Sequence, residues 1–107
     1  MIAHSVFFTL HDRSDAARDK LVNECRLHLT GHAGLVSFAC GIMDPTFDRE
    51  VNDRDFDVSL IMIFGSRAEH DLYQGAPRHR KFVEANEATW AKVRVFDSDV
   101  EVKSSTA

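Results

Sequence analysis

The chain has 107 residues, 44% of them hydrophobic and 28% charged, with a formal net charge of −4, which is room for one domain of ordinary globular balance. The acidic balance excludes a nucleic-acid surface, which needs a basic stripe, and no apolar run approaches the roughly 18 residues of a membrane span. Cys25 and Cys40 lack metal-site or CxxC spacing, and the opening Met1–His4 lacks the charged start of a secretion signal, so a cytoplasmic protein with reduced core thiols is expected.

Ile2 to Leu10 reads as a strand: Ile2, His4, Val6, Phe8 and Leu10 fall on one face, Ala3, Ser5, Phe7 and Thr9 on the other. Both faces carry apolar groups, so both need cover. Ser14 is a good N-cap with Asp15 in the first turn. The helix that follows repeats Ala17, Leu21, Cys25 and Leu29 at i, i+4 spacing and stops at the Gly31 to Gly34 region. Leu35 to Ile42 is a second strand, with Val36, Phe38, Cys40 and Ile42 on one side. Asp44 to Asp55 is an acidic loop without the fixed spacing of a calcium loop, so a solvated loop is expected there. Phe56 to Phe64 is the third and most apolar strand, with Ser59, Ile61 and Ile63 opposite its main face.

Ser66 to Glu69 forms a capping box that opens a short helix ending near Gly75. Pro77 suits the first position of another helix, on which His79, Phe82, Val83, Asn86 and Trp90 form a stripe. Val93 to Phe96 is the fourth strand, and residues 99–107 form a polar tail behind a domain spanning 1–98. The order β-α-β-β-α-β is the ferredoxin-like pattern of an α+β fold: helices cover one face of a four-stranded antiparallel sheet. The other face, carrying Phe7, Ile61 and Ile63, has nothing left in the chain to cover it. A homodimer closed sheet against sheet is the expected solution.

His4 should point into the apolar layer with Val6 and Phe8, and His79 opens the stripe of the last helix toward the sheet. Two imidazoles meeting over one apolar space can act as base and proton relay, and Tyr73 can donate to a substrate carbonyl. The plainer reading makes each of these residues part of the packing. His70 is expected to be solvated, and His28 and His32 to favour the dipole of a helix end without binding metal.

Several pieces together resemble the stress-responsive dimeric α/β-barrel family, the Dabb domain, from Met1 to Asp97. They are His4, Val36-Ser37-Phe38-Ala39-Cys40-Gly41, a third strand ending in Phe64, Tyr73-Gln74-Gly75-Ala76-Pro77-Arg78-His79, Trp90, and Val95-Phe96-Asp97. The resemblance implies a homodimer with a pocket between sheet and helices; no cofactor or metal is expected. In its plant olivetolic acid cyclase branch, which closes a linear polyketide, the residues matching His4, Tyr73 and His79 line the pocket. This chain departs from that branch at Val58 and Ala76, where histidines are usual. The implied catalytic set is His4, Tyr73 and His79, with Val6, Phe8, Val58, Phe82 and Trp90 around a small hydrophobic or carbonyl ligand. A non-catalytic ligand- or protein-binding dimer is one alternative. A polyketide-cyclase-like lyase or a small monooxygenase on the same fold is another.

Overall fold

The computed structural model describes residues 1–103; the last residues of the expected tail, 104–107, lie outside them. Strand β1 (Ile2–Leu10) leads to helix α1 (Asp15–Leu29), strands β2 (Leu35–Ile42) and β3 (Val58–Phe64), helices α2 (Arg67–Gly75) and α3 (Pro77–Asn86), a 3-10 turn at Glu87–Thr89, and strand β4 (Trp90–Asp99). The sheet is antiparallel in the order β2-β3-β1-β4, as the ferredoxin-like pattern requires.

The period-2 pattern of the two central strands explains the layers. Val6, Phe8 and Leu10 of β1 and Val58, Leu60, Met62 and Phe64 of β3 are buried beneath the helices. Leu21, Cys25 and Leu29 of α1, Tyr73 of α2 and Phe82 of α3 meet them. Each such apolar side chain contributes roughly 1.5–3 kcal/mol on burial. Cys25 and Cys40 face each other across this layer as free thiols. The hydrogen bond to Cys40, followed by burial, pushes the Cys25 thiol up.

The opposite face stays open. Ile61 is 42% exposed and Phe96 is 54% exposed, and Phe7 packs edge-on against Phe56 and Phe96.

Four expectations need correcting. Val36 does not share the face of Phe38, because a bulge between Leu35 and Ser37 shifts the register, so that Leu35 pairs Phe64 and Val36 is left exposed. Strand β3 starts at Val58, so Phe56 escapes the alternation and packs on Phe7 of the open face. Trp90 is not on the last helix: the 3-10 turn ends α3 and Trp90 starts β4. Strand β4 is also longer than Val93 to Phe96, pairing β1 from Trp90 to Asp99.

One buried charge anchors the far end of β1. Asp57 is 0% exposed. It accepts from the Leu10 amide at 2.8 Å, from Arg13 Nε at 3.0 and 3.1 Å, and from Arg18 Nε at 3.0 Å and Nη2 at 2.8 Å. Burial alone would push this carboxyl up, but the bonds from Leu10, Arg18 and Arg13 outweigh it and hold it below the usual carboxylate range.

Candidate functional site

The joint between α2 and α3 builds the site. Tyr73 and His79 are six positions apart, and on one continuous helix at about 100° per residue they would lie about 120° apart around the axis. The chain instead breaks at Ala76, which has extended backbone, and Pro77 restarts the helix at its first position. The Ala76 amide donates back to the Tyr73 carbonyl at 3.1 Å, closing α2. Arg78 then reaches the C-terminal end of α1, donating to the Thr30 carbonyl at 2.7 Å and the Leu27 carbonyl at 2.8 Å. These orphan carbonyls suit a guanidinium, and the tether fixes the first turn of α3. With the helices so set, the Tyr73 and His79 rings meet with centroids 4.7 Å apart.

Tyr73 is 2% exposed and central. Besides His79, its ring meets His32 at 4.9 Å, Phe64 at 5.0 Å and His4 at 5.9 Å. The His32 ring is held by its Nε2, 2.8 Å from the His28 carbonyl it donates to. His4 is 5% exposed and bonds Asp97 Oδ1 through Nδ1; the two residues are direct partners across β1 and β4. His70 stands 5.1 Å from the His4 ring and 3.8 Å from the same Asp97 oxygen.

The group borders a cavity of about 220 Å³ between the sheet and helices α2 and α3. Val6, Phe8, Leu60, Phe82, Val83, Trp90, Val93 and Val95 make its apolar wall, and His4, His70, Tyr73, Gln74, His79 and Asp97 its polar end. This is smaller than the roughly 300–1,000 Å³ of drug-sized sites, so it suits a compact ligand. Burial pushes the Tyr73 hydroxyl well above its ordinary value, which keeps it a donor. Burial, and then the nearness of His4, lower the His79 imidazole, which keeps it neutral near pH 7. Trp90 adds a sealed indole N–H that has no hydrogen-bond partner among the described residues, and such an unmet donor costs about 1–3 kcal/mol.

The family model described as the stress responsive A/B barrel domain, Dabb, matches residues 2–100. The chain belongs to the Dabb family. A Dabb protein from Mesorhizobium loti with a ferredoxin-like fold superposes with a TM-score of 0.76 at 20% identity, over 94% of this chain and 97% of that one. A dimeric ferredoxin-like protein from Thermobifida fusca gives 0.74 at 15% identity, over 92% and 90%. The hydroxynitrile lyase of Passiflora edulis gives 0.74 at 16% identity, over 95% and 94%. Comparison with curated proteins gives no match. At these identities the solved structures share the Dabb fold, and a common fold does not carry a common function.

Within this Dabb pocket the structure gathers His4, Tyr73 and His79, and it places Val6, Phe8, Phe82 and Trp90 on the wall. Val58 is not there. It is fully buried in the core, paired with Phe8 and Ile42, and lines no part of the cavity. Three polar neighbours escaped the sequence reading. His70 is not solvated: its side chain is only 14% exposed and faces His4 and Phe64. Its spacing of three from Tyr73 was the available signal, since i, i+3 residues share a helix face. Asp97 lies one residue beyond the expected end of the fourth strand, so its place opposite His4 went unread. His32 was assigned to the end of α1, and its packing on Tyr73 depends on the loop beyond. The acidic loop holds its charges in a local turn, Asp44 to Thr46 at 2.7 Å, and in an ion pair from Asp53 to Arg94 of β4 at 2.8 Å. Among the described residues no helix is long and apolar enough to cross a membrane.

Proposed function

We propose that the pocket binds a compact, largely apolar carbonyl compound and moves a proton on it. The observation that carries this reading is the Tyr73–His79 pair, a protonated phenol against a neutral imidazole, at the polar end of an apolar cavity. His79 takes the proton from the carbon next to the carbonyl. The electron pair of that C–H bond becomes the enolate, whose oxygen accepts a hydrogen bond from the Tyr73 hydroxyl. His4, held by Asp97, is the relay beside them.

The test is deuterium exchange at the α-carbon of a small aryl ketone, followed by NMR in D2O. Exchange should exceed the buffer rate and fall at least about 10²-fold in His79→Ala, the usual scale of a general base. Exchange equal in wild type and His79→Ala removes the catalytic reading. If the ketone still shifts Tyr73 and Trp90 resonances, the second reading stands, a binding pocket without turnover; the deep burial of Tyr73 favours that outcome.

The working unit in this reading is a homodimer. The exposed Ile61 and Phe96, with Phe7 beside them, form an apolar face that a second copy would cover sheet to sheet, and the Thermobifida relative is dimeric. Ile61→Asp should convert the dimer to monomer in light scattering; a wild-type chain already monomeric at micromolar concentration sinks this part. A cytoplasmic setting belongs to the same reading, because the adjacent Cys25 and Cys40 are both free thiols.

A further inference from the structure

Three donors from separate elements meet at the polar end of the cavity: His4 on β1, His70 on α2 and Asp97 on β4. One ligating atom of each lies within 4.8 Å of the other two. We propose that they bind a divalent first-row transition metal, of which zinc is the probe. Two imidazoles and one carboxylate form a donor set that leaves further coordination positions open. No sequence spacing announced it, because the ligands come from the first strand, the middle of a helix and the last strand.

The surroundings of His70 make this more than a chance ion pair. Its Nδ1 lies 3.2 Å from Asp71 Oδ1, and its Nε2 lies 3.5 Å from the Gln74 side-chain nitrogen and 3.8 Å from Asp97 Oδ1. A carboxylate can only accept and an amide nitrogen can only donate. A proton on Nδ1 satisfies the Asp71 and Gln74 contacts, and it leaves the Nε2 lone pair free on the side of Asp97. A metal-ligating histidine takes this form, its other nitrogen donating to a carboxylate behind it. Bonds of 2.0–2.2 Å set donor–donor edges of about 3.4 Å in a tetrahedral site. The His4–Asp97 contact is tighter than that and the His70–Asp97 separation is wider. A metal at a common centre requires His4 and Asp97 to part and His70 to draw in toward both, the three ligand atoms now lying within 4.8 Å of one another. A metal on His4 Nδ1 displaces the hydrogen that bridges it to Asp97: in a neutral ring it moves to Nε2, and in an imidazolium it leaves to solvent.

Charge and access agree. A cleft of about 210 Å³ opens next to the cavity, and Asp71, Asp97 and Asp99 line it against the single cation Arg67. His70 and Asp97 belong to both spaces, so a metal here would border the ligand pocket while drawing on neither Tyr73 nor His79. The inference goes beyond the proton-transfer reading and does not depend on it.

The experiment is isothermal titration of tag-free, chelator-stripped protein with zinc chloride. One zinc per chain is expected, with a dissociation constant in the micromolar range or tighter. His70→Ala and Asp97→Asn should each weaken it by at least tenfold, and Asp71→Asn by about 10-fold through loss of the group behind His70. His79→Ala should leave zinc binding as it is, and Asp71→Asn should leave ketone exchange by the metal-free protein as it is, so this inference and the previous one fail separately. Cobalt(II) absorption guards against a misfolded variant: bands without thiolate charge transfer are expected. Absent zinc binding, affinity unchanged in His70→Ala and Asp97→Asn, dependence on His28 beside Glu24, or a thiolate–cobalt band from Cys25 and Cys40 would each overturn the proposal.

Discussion

Strand β1 ends at two aspartates that differ in almost every respect. Beside Leu10, Asp57 is sealed from solvent and met by two guanidiniums and an amide. Beside His4, Asp97 is 46% exposed on its side chain and is met only by imidazoles, at the edge strand β4. Arginine is always charged, so the first carboxylate has a permanent partner whose strength does not vary near neutral pH. Histidine can lose its proton, turn its lone pair outward or hand the proton on. One end of the strand is thus built to stay as it is, and the other to change state.

The largest expected effect tests that contrast directly. Asp57→Ala leaves Arg13 and Arg18 without their carboxylate and the Leu10 amide without an acceptor. It should lower stability by about 3 kcal/mol, near the low end for a broken buried pair because both arginines can reach water. Asp97→Ala should cost only about 1 kcal/mol, the scale of one lost hydrogen bond to His4. Urea midpoints compare the two, and equal losses would erase the distinction.

Next comes the response to acid. The folded Asp57 carboxyl lies below its ordinary 3.8, so the unfolded chain takes up that proton first. Its stabilising contribution is whole above about pH 4 and drains as pH falls through the lower folded value. His79 is lowered from 6.5, so the unfolded chain also protonates first there, and stability should already begin to slip as pH drops below 6.5. Thermal melts of His79→Gln should lose the slope near pH 6, while those of Asp57→Asn should lose only the steeper limb below pH 4.

Smaller effects concern the ligand. Tyr73→Phe should weaken ketone binding about fivefold, one hydrogen bond's worth near 1 kcal/mol, at little cost in stability. Trp90→Phe should shift the melting midpoint least, because the unmet indole donor leaves with the lost ring contacts. Ketone binding should fall only by the lost wall contact, less than in Tyr73→Phe, and a larger loss would show that the indole N–H reaches the ligand.

The stable end was easier to read than the changeable one. Alternation in Val58 to Phe64 and the i, i+4 repeat of α1 report burial, and burial is what the fold consists of. The capping box at Ser66 and the Pro77 restart are local, so they were visible too; in the structure the Ser66 hydroxyl is 3.3 Å from the Glu69 amide. The bulge at Val36 was invisible because it is decided by the partner strand. Asp57 was passed over because its three partners lie 39 to 47 positions away. Asp97 was missed for the same reason, since it meets His4 only when β4 pairs β1, whereas the i, i+3 step from His70 to Tyr73 was there to be read. Val58 went wrong in the other direction, since an aligned position says nothing about whether the side chain reaches the cavity.

The short joint at Ala76 and Pro77 acts as a gear between two helices. Adding one residue there would lengthen a joint now fixed by the Ala76–Tyr73 bond and the Arg78 tether, and swing His79 away from Tyr73 while leaving the sheet intact. Relatives with a longer or shorter joint can therefore hold the same fold around a differently composed pocket, and chains of this architecture should diverge in chemistry fastest where that hinge changes length.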